Sequence, residues 1–234
     1  MNVRCLRLIP CLLLMIIISS CNPRLANGLR KNDLHRDVEM TTDKGTLVIR
    51  LSDSTPLHRD NFLRLVKDHF YDSISFHRVI IEFMVQAGDP NTKPYKSVSD
   101  TNKAAQTIPA EFRPGLFHKK GAIAAARTGD NVNPTKASSA TQFYLVQGKV
   151  FSEQSLDSVE TFRLKRKLPE AHRQVYKTLG GTPHLDQQYT VFGEVIRGLS
   201  VIDSIAVTPT NGPSAGSRPL KDVKILKARL IKRS

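Results

Sequence analysis

The chain has 234 residues, 40% of them apolar and 24% charged, with no Trp and a formal charge of +14. That balance excludes wholesale disorder, a collagen-like repeat and a multi-span membrane protein, and the length allows one well-filled core. The basic charge invites a nucleic-acid reading, which the opening residues argue against.

Those residues read MNVRCLRLIPCLLLMIIISSC. Arg4 and Arg7 lead into an apolar run over 8–18, broken only by Pro10, and Ser19-Ser20 precede Cys21. This is the layout of a secretory signal peptide over 1–20, too short for a comfortable spanning helix. An uncleaved N-terminal anchor is the other reading. Ile18-Ser19-Ser20-Cys21 resembles a bacterial lipobox, in which Cys21 becomes the lipidated first residue of the mature chain. Cys5, Cys11 and Cys21 all lie in or at the end of this leader, so no disulfide framework is expected. An exported, membrane-anchored protein facing the periplasm would not meet nucleic acid. Its charge then serves solubility, anionic lipid surfaces or acidic client segments.

Residues 21–36 read as the lipidated Cys and a polar tether. Beyond them, Val38 and Met40, a turn at Asp43-Lys44-Gly45, and alternating Leu47, Ile49 and Leu51 predict a hairpin. Thr55-Pro56 as N-cap and first helical residue, followed by Phe62, Leu63 and Val66, predicts an amphipathic helix over 56–67. Residues 74–85 are β-rich and end in a turn at 87–90, and 91–109 reads as a long polar loop. Further strands are expected at 122–127, 142–146, 190–196 and 223–231, with a Gly/Asn/Pro/Ser-rich loop at 128–140 and a short helix at 199–205.

Residues 152–181 behave differently. Leu156, Val159 and Phe162 are spaced by three; after Leu168-Pro169, Ala171, Val175 and Leu179 are spaced by four, and Gly180-Gly181 stops the run. The pattern predicts two helices, or one broken at Pro169, inserted into a mainly β chain. The basic cluster at 163–167 reads as a solvated helix face rather than a binding site. GxGxxG, Walker A, HExxH and paired CxxC motifs are absent, and the seven His lack metal-ligand spacing, so no cofactor or metal is expected.

The informative stretch is FHRVIIEFMVQAGD, residues 76–89. Arg78 and Gln86 lie eight apart, hence on one face if a single strand runs through them. An Arg on a sheet face is unusual unless exposed, paired or functional, and an edge strand with an exposed Arg is the plain alternative. The stretch resembles the cyclophilin signature FHRxIxxFMxQxGD. Other blocks follow in that family's order: the hairpin around Gly45, Asn61-Phe62-Leu63 with Phe70-Tyr71, residues 108–112, residues 121–127, SSATQFY at 138–144, Leu185-Asp186, and YTVFG at 189–193. The resemblance covers roughly 37–150 and 182–232 of a domain spanning 37–232, and the insertion at 152–181 falls outside it.

The resemblance implies a closed eight-stranded antiparallel β-barrel capped by two helices, and the activity of a peptidyl-prolyl cis–trans isomerase that assists folding of exported proteins. It also leaves open a weakly active or inactive scaffold for prolyl peptides. Carried over residue by residue, Arg78 matches the catalytic arginine and Gln86 the glutamine that orients the substrate carbonyl. Phe83 and Met84 match the floor of the proline pocket. Ala126 and Arg127 fall where backbone and a side chain meet the peptide. Gln142 matches a second polar groove residue, Leu185 a pocket wall, and Tyr144 stands where Phe is more usual. His184 replaces a Trp and Tyr189 a His found in many eukaryotic members, which implies weak cyclosporin binding and, with Tyr144, a more polar pocket. His77 reads as structural. The implied partners are proline-containing unfolded or extended polypeptides and, through Cys21, a membrane; the protein is expected to be a monomer.

Overall fold

The computed structural model describes residues 28–233. The leader, Cys21 and the start of the tether lie outside the described residues. In chain order these residues form β1 (Arg36–Thr42), β2 (Gly45–Leu51), α1 (Pro56–Lys67), β3 (Arg78–Ile80), β4 (Met84–Ala87), α2 (Val98–Ala104), β5 (Thr107–Ile108), β6 (Ala122–Ala125), β7 (Ser138–Ser139), β8 (Phe143–Val146), α3 (Glu153–Ser158), α4 (Glu170–Thr178), β9 (Val191–Arg197), α5 (Leu199–Ala206) and β10 (Ile225–Lys232). A single π-helical turn, Val159–Leu164, follows α3. The loop expected at 91–109 therefore contains α2, whose N-terminus is closed by a capping box between Ser97 and Asp100.

The main sheet runs β10-β1-β2-β9-β6-β8-β4-β3, antiparallel throughout, and curls into an open half-barrel. The expectation of a closed barrel is corrected: no ladder joins β10 to β3. Irregular backbone crosses the seam instead. Phe76 N donates to Val223 O at 2.8 Å, Ile225 N to Ile74 O at 2.8 Å, and Val79 N to Ser217 O at 2.9 Å. The facing segment holds Ser217 at a left-handed φ of 57° and Pro219, which has no N–H, so a regular ladder cannot continue there.

The concave face holds the core, with Val38, Met40, Leu47 and Ile49 of the first hairpin against Phe62, Leu63 and Val66 of α1 and Ile202 and Ile205 of α5. These two helices occupy the positions expected of the caps. Thr55 makes no side-chain cap on α1. The Glu111 carboxylate takes that role, accepting from Leu57 N at 3.2 Å and His58 N at 3.0 Å, where the helix dipole favours negative charge. Leu29, in the stretch read as tether, is fully buried in the same core, and Lys67 pairs with Asp33 at 2.7 Å. Among the described residues, packed structure therefore starts at 29.

Residues 152–181 form α3, the π turn and α4, as two helices around Leu156, Leu168 and Tyr176. The face differs from the one the spacing suggests. α4 buries Arg173 and Tyr176, while Ala171 and Leu179 are exposed, and Phe162 is 70% exposed.

Candidate active site

Successive side chains on a strand point to opposite faces. On β6, Ile123 and Ala125 enter the core while Ala122, Ala124 and the following Ala126 face outward; on β8, Phe143 and Leu145 go in, Tyr144 and Val146 out. Met84 and Val191 complete this outer cluster, with Phe83, Leu185 and Tyr189 partly buried against it. Alanine at 126 leaves a depression where a larger side chain would make a wall. The hollow measures about 270 Å³ and is lined by Arg78, Phe83, Met84, Gln86, Ala126, Arg127, Tyr144, Leu185 and Tyr189. Another hollow, also about 270 Å³, lies around Leu51, Leu116, Phe117 and Gly193 and holds none of the motif residues.

Arg78 and Gln86 do share a face, but for a different reason from the one the sequence suggests. The strand breaks at 81–83, where Glu82 takes a left-handed φ of 58°, and the chain doubles back so that Arg78 pairs directly with Gln86 across β3 and β4. Directly opposed residues of an antiparallel pair lie on the same side. Arg78 Nη1 donates to Gln86 Oε1 at 3.4 Å, a long bond, and Gln86 Nε2 donates to Gln142 Oε1 at 3.0 Å. Gln142 does not line the hollow and reaches the site through that bond. Gly88 closes this strand against β8: at its φ of +98°, a Cβ would lie 2.1 Å from Thr141 O.

Arg127 and Tyr144 both line the hollow and are both held from behind. The Arg127 side chain is only 4% exposed. It donates to Gln188 O at 2.8 Å and Thr128 O at 2.9 Å, pairs with Asp130 at 2.6 Å, and sits 4.5 Å above the Tyr189 ring. It braces the wall and at the same time lines the hollow. Tyr144 gives the hollow its ring, edge-on to Tyr189 at 6.0 Å, but turns its hydroxyl inward to His118 Nε2 at 3.0 Å. The pocket is thus less polar than the two tyrosines suggest, and burial raises the Tyr144 pKa well above its ordinary value. His184 stacks on Phe83 at 5.6 Å, outside the lining, and burial lowers its pKa. His77 is likewise held low by burial.

Sequence reasoning missed His118 and Tyr176. His118 N and Nδ1 both reach Asp186 Oδ1 at 2.9 Å, and Tyr176 OH donates to Asp186 Oδ2 at 2.8 Å. These residues are far apart in sequence and follow no common spacing, so no local signal links them. Among the described residues no group of three His, Cys, Asp or Glu is arranged to hold a metal ion.

No carboxylate, thiol or imidazole lines the hollow. A small apolar seat with a fixed, permanently charged donor at its edge can bind and polarise a ligand. The site thus suits a small apolar group that carries a hydrogen-bond acceptor beside it. The family model for "Cyclophilin type peptidyl-prolyl cis-trans isomerase/CLD" matches residues 37–230. A Staphylococcus epidermidis protein assigned by name to the peptidyl-prolyl cis–trans isomerases is 35% identical over 204 residues, covering 87% of this chain and 94% of its own. A Staphylococcus aureus (strain USA300) protein of the same name is 33% identical over the same shares. Among solved structures, a Cryptosporidium parvum cyclophilin type peptidyl-prolyl cis–trans isomerase superposes with a TM-score of 0.60 at 18% identity, covering 85% of this chain and 99% of its own. The chain belongs to the cyclophilin-type peptidyl-prolyl cis–trans isomerase family.

Proposed function

We propose that this isomerase accelerates rotation about X–Pro bonds in exported polypeptides, from a lipid anchor at Cys21, and so assists their folding. The observation that carries the chemistry is Arg78 at the edge of an apolar hollow shared with Phe83, Met84 and Gln86. Rotation about the peptide bond is opposed by a barrier of about 18–20 kcal/mol because it destroys amide resonance. At X–Pro the two end states differ by only about 1 kcal/mol, so an enzyme need only ease the crossing. In the twisted amide the proline nitrogen regains a lone pair. The Arg78 guanidinium, always charged, donates to that lone pair better than to the planar amide, which is differential binding of the transition state. Phe83, Met84, Tyr144 and Leu185 seat the proline ring. Gln86, braced by Gln142, and groove backbone at Ala126 hold the flanking carbonyl while the other end turns. No proton transfer, nucleophile or metal is needed.

Two further observations support the substrate class and the setting. A second structure of the Cryptosporidium neighbour was determined in the presence of the dipeptide Ala-Pro. The apolar run, Ser19-Ser20 and Cys21 have the order of a lipoprotein leader. The domain then works as a monomer beside the membrane, facing the periplasm. Protease-coupled isomerisation of a prolyl peptide, wild type beside Arg78→Ala, tests the chemistry; near-full activity in the variant overturns it. Fatty-acid labelling of wild type and Cys21→Ser in cells tests the anchor, and equal labelling of both overturns that part.

A further inference from the structure

Tyr144 forms one wall of the proline seat, yet its ring is fixed from behind, by atoms that never meet a substrate. We infer that Tyr176, on the helical insertion, is a positioning residue for the proline pocket, acting through Asp186 and His118 on Tyr144. The inference rests on the isomerase reading above.

Hydrogen-bond accounting gives the network a direction. Asp186 Oδ1 lies 2.9 Å from both the backbone N and Nδ1 of His118. A carboxylate oxygen accepts, so Nδ1 carries a proton, and in the singly protonated ring Nε2 then offers its lone pair to the Tyr144 hydroxyl at 3.0 Å. Asp186 Oδ2 accepts from Tyr176 OH at 2.8 Å. Tyr176 and His118 are fully buried, Asp186 is 2% exposed and Tyr144 4%, and no polar side-chain atom of the four lacks a partner. Without the Tyr176 hydroxyl, Asp186 Oδ2 would lose the one side-chain donor that reaches it among the described residues, in a place where a lost hydrogen bond is costly.

The two ends of the chain are also held mechanically. The Tyr176 ring packs on Phe117, with ring centroids 5.5 Å apart, and on Phe151 at 6.4 Å. His118 is clamped from the exit of the insertion: Thr182 N donates to His118 O at 2.8 Å, and a Cβ on Gly181 would lie 2.2 Å from that same oxygen. A phenylalanine at 176 would satisfy the packing. The hydroxyl is the part that only the network uses, and the network ends at the wall of the seat.

The test is a double-mutant cycle on the full chain, with kcat and KM read separately on a prolyl peptide. Tyr176→Phe removes one hydroxyl, Tyr144→Phe the other. Because the wall contacts the ring in the ground state and the transition state alike, each variant should raise KM about 3- to 10-fold with kcat within about twofold. The double variant should be no worse than the worse single. Glu160→Gln, which loosens the insertion's charge cluster without removing a side chain that packs on Tyr176, should lower Tm and leave KM unchanged. An unchanged KM in Tyr176→Phe, additive effects in the double variant, or an equal KM rise in Glu160→Gln would each overturn the inference. Imidazole ¹⁵N shifts of His118 in the wild-type protein decide independently of any variant's folding. A protonated Nδ1 with a bare Nε2 supports the network, and the reverse tautomer sinks it. A wild type inactive on prolyl peptides would defeat the isomerase reading, while the tautomer would still decide the network.

Discussion

The groove and the insertion are built on opposite physics. The groove wall is largely apolar, with Met84, Ala126 and Tyr144 over a core that is filled from the other face of the same strands. The insertion has an apolar centre of only Leu156, Leu168 and Tyr176. What holds it is a buried cation: Arg173 pairs with Glu160 at 2.7 Å, Asp157 at 3.1 Å and Glu153, while Lys167 meets Glu160 from outside at 2.9 Å. Burial alone would push the Glu160 carboxyl up. The bond from Leu168 N and the ion pairs with Lys167 and Arg173 outweigh it and hold the group at about 2. The groove therefore borrows its stability from the core beneath, and its residues are free to serve chemistry. The insertion has to hold itself together by charge.

Four substitutions would break or sharpen that contrast. Arg78→Ala should cost about 2–4 kcal/mol in kcat/KM, as for other preorganised donors, with Tm within about 2 °C of wild type because the side chain is exposed. A large fall in Tm would show that the groove carries stability after all. Glu160→Gln should do the reverse, losing about 1.5–3 kcal/mol of stability in denaturant unfolding while KM stays unchanged. The sign of its pH dependence follows from the lowered pKa: the contribution of Glu160 is complete above the ordinary value of 4.5 and is lost as pH falls toward about 2. Thermal scans across that window should show wild type losing Tm more steeply than Glu160→Gln. Ala126→Leu should fill the hollow and raise KM about tenfold, a cost of about 1.4 kcal/mol, with little change in Tm since the position opens outward. Phe162→Ser should change stability by less than about 0.5 kcal/mol, since its ring is 70% exposed. A larger loss there would mean that the apolar spacing of 156, 159 and 162 had marked a true packing face.

Legibility follows the same division. The groove could be read because its residues cluster in one short stretch and strands alternate faces, so Arg78, Phe83, Met84 and Gln86 are placed by local rules. Even there the sequence hides a turn, since a hairpin and an unbroken strand both put Arg78 and Gln86 on one side. The insertion misleads because helical spacing weighs apolar side chains only. Arg173 is buried by partners from α3 and the π turn, which no spacing within α4 can announce. Glu111 capping α1 from 53 residues away on His58 is the same case: Thr55 had the local pattern, and a distant carboxylate had the geometry. The seam between β3 and β10 is only half legible: Pro219 is visible in the sequence, but the left-handed turn at Ser217 beside it is a conformation that residue type does not betray.

Lys149 and Gly181 exchange both backbone bonds, Gly181 N to Lys149 O at 3.0 Å and Lys149 N to Gly181 O at 3.3 Å, so the insertion leaves and rejoins the sheet through a closed neck. A loop whose two feet already touch can change length at little cost to the strands it leaves. Such a neck would let one helical attachment stand in for another, each replacement free to bring, or to omit, its own donor for Asp186.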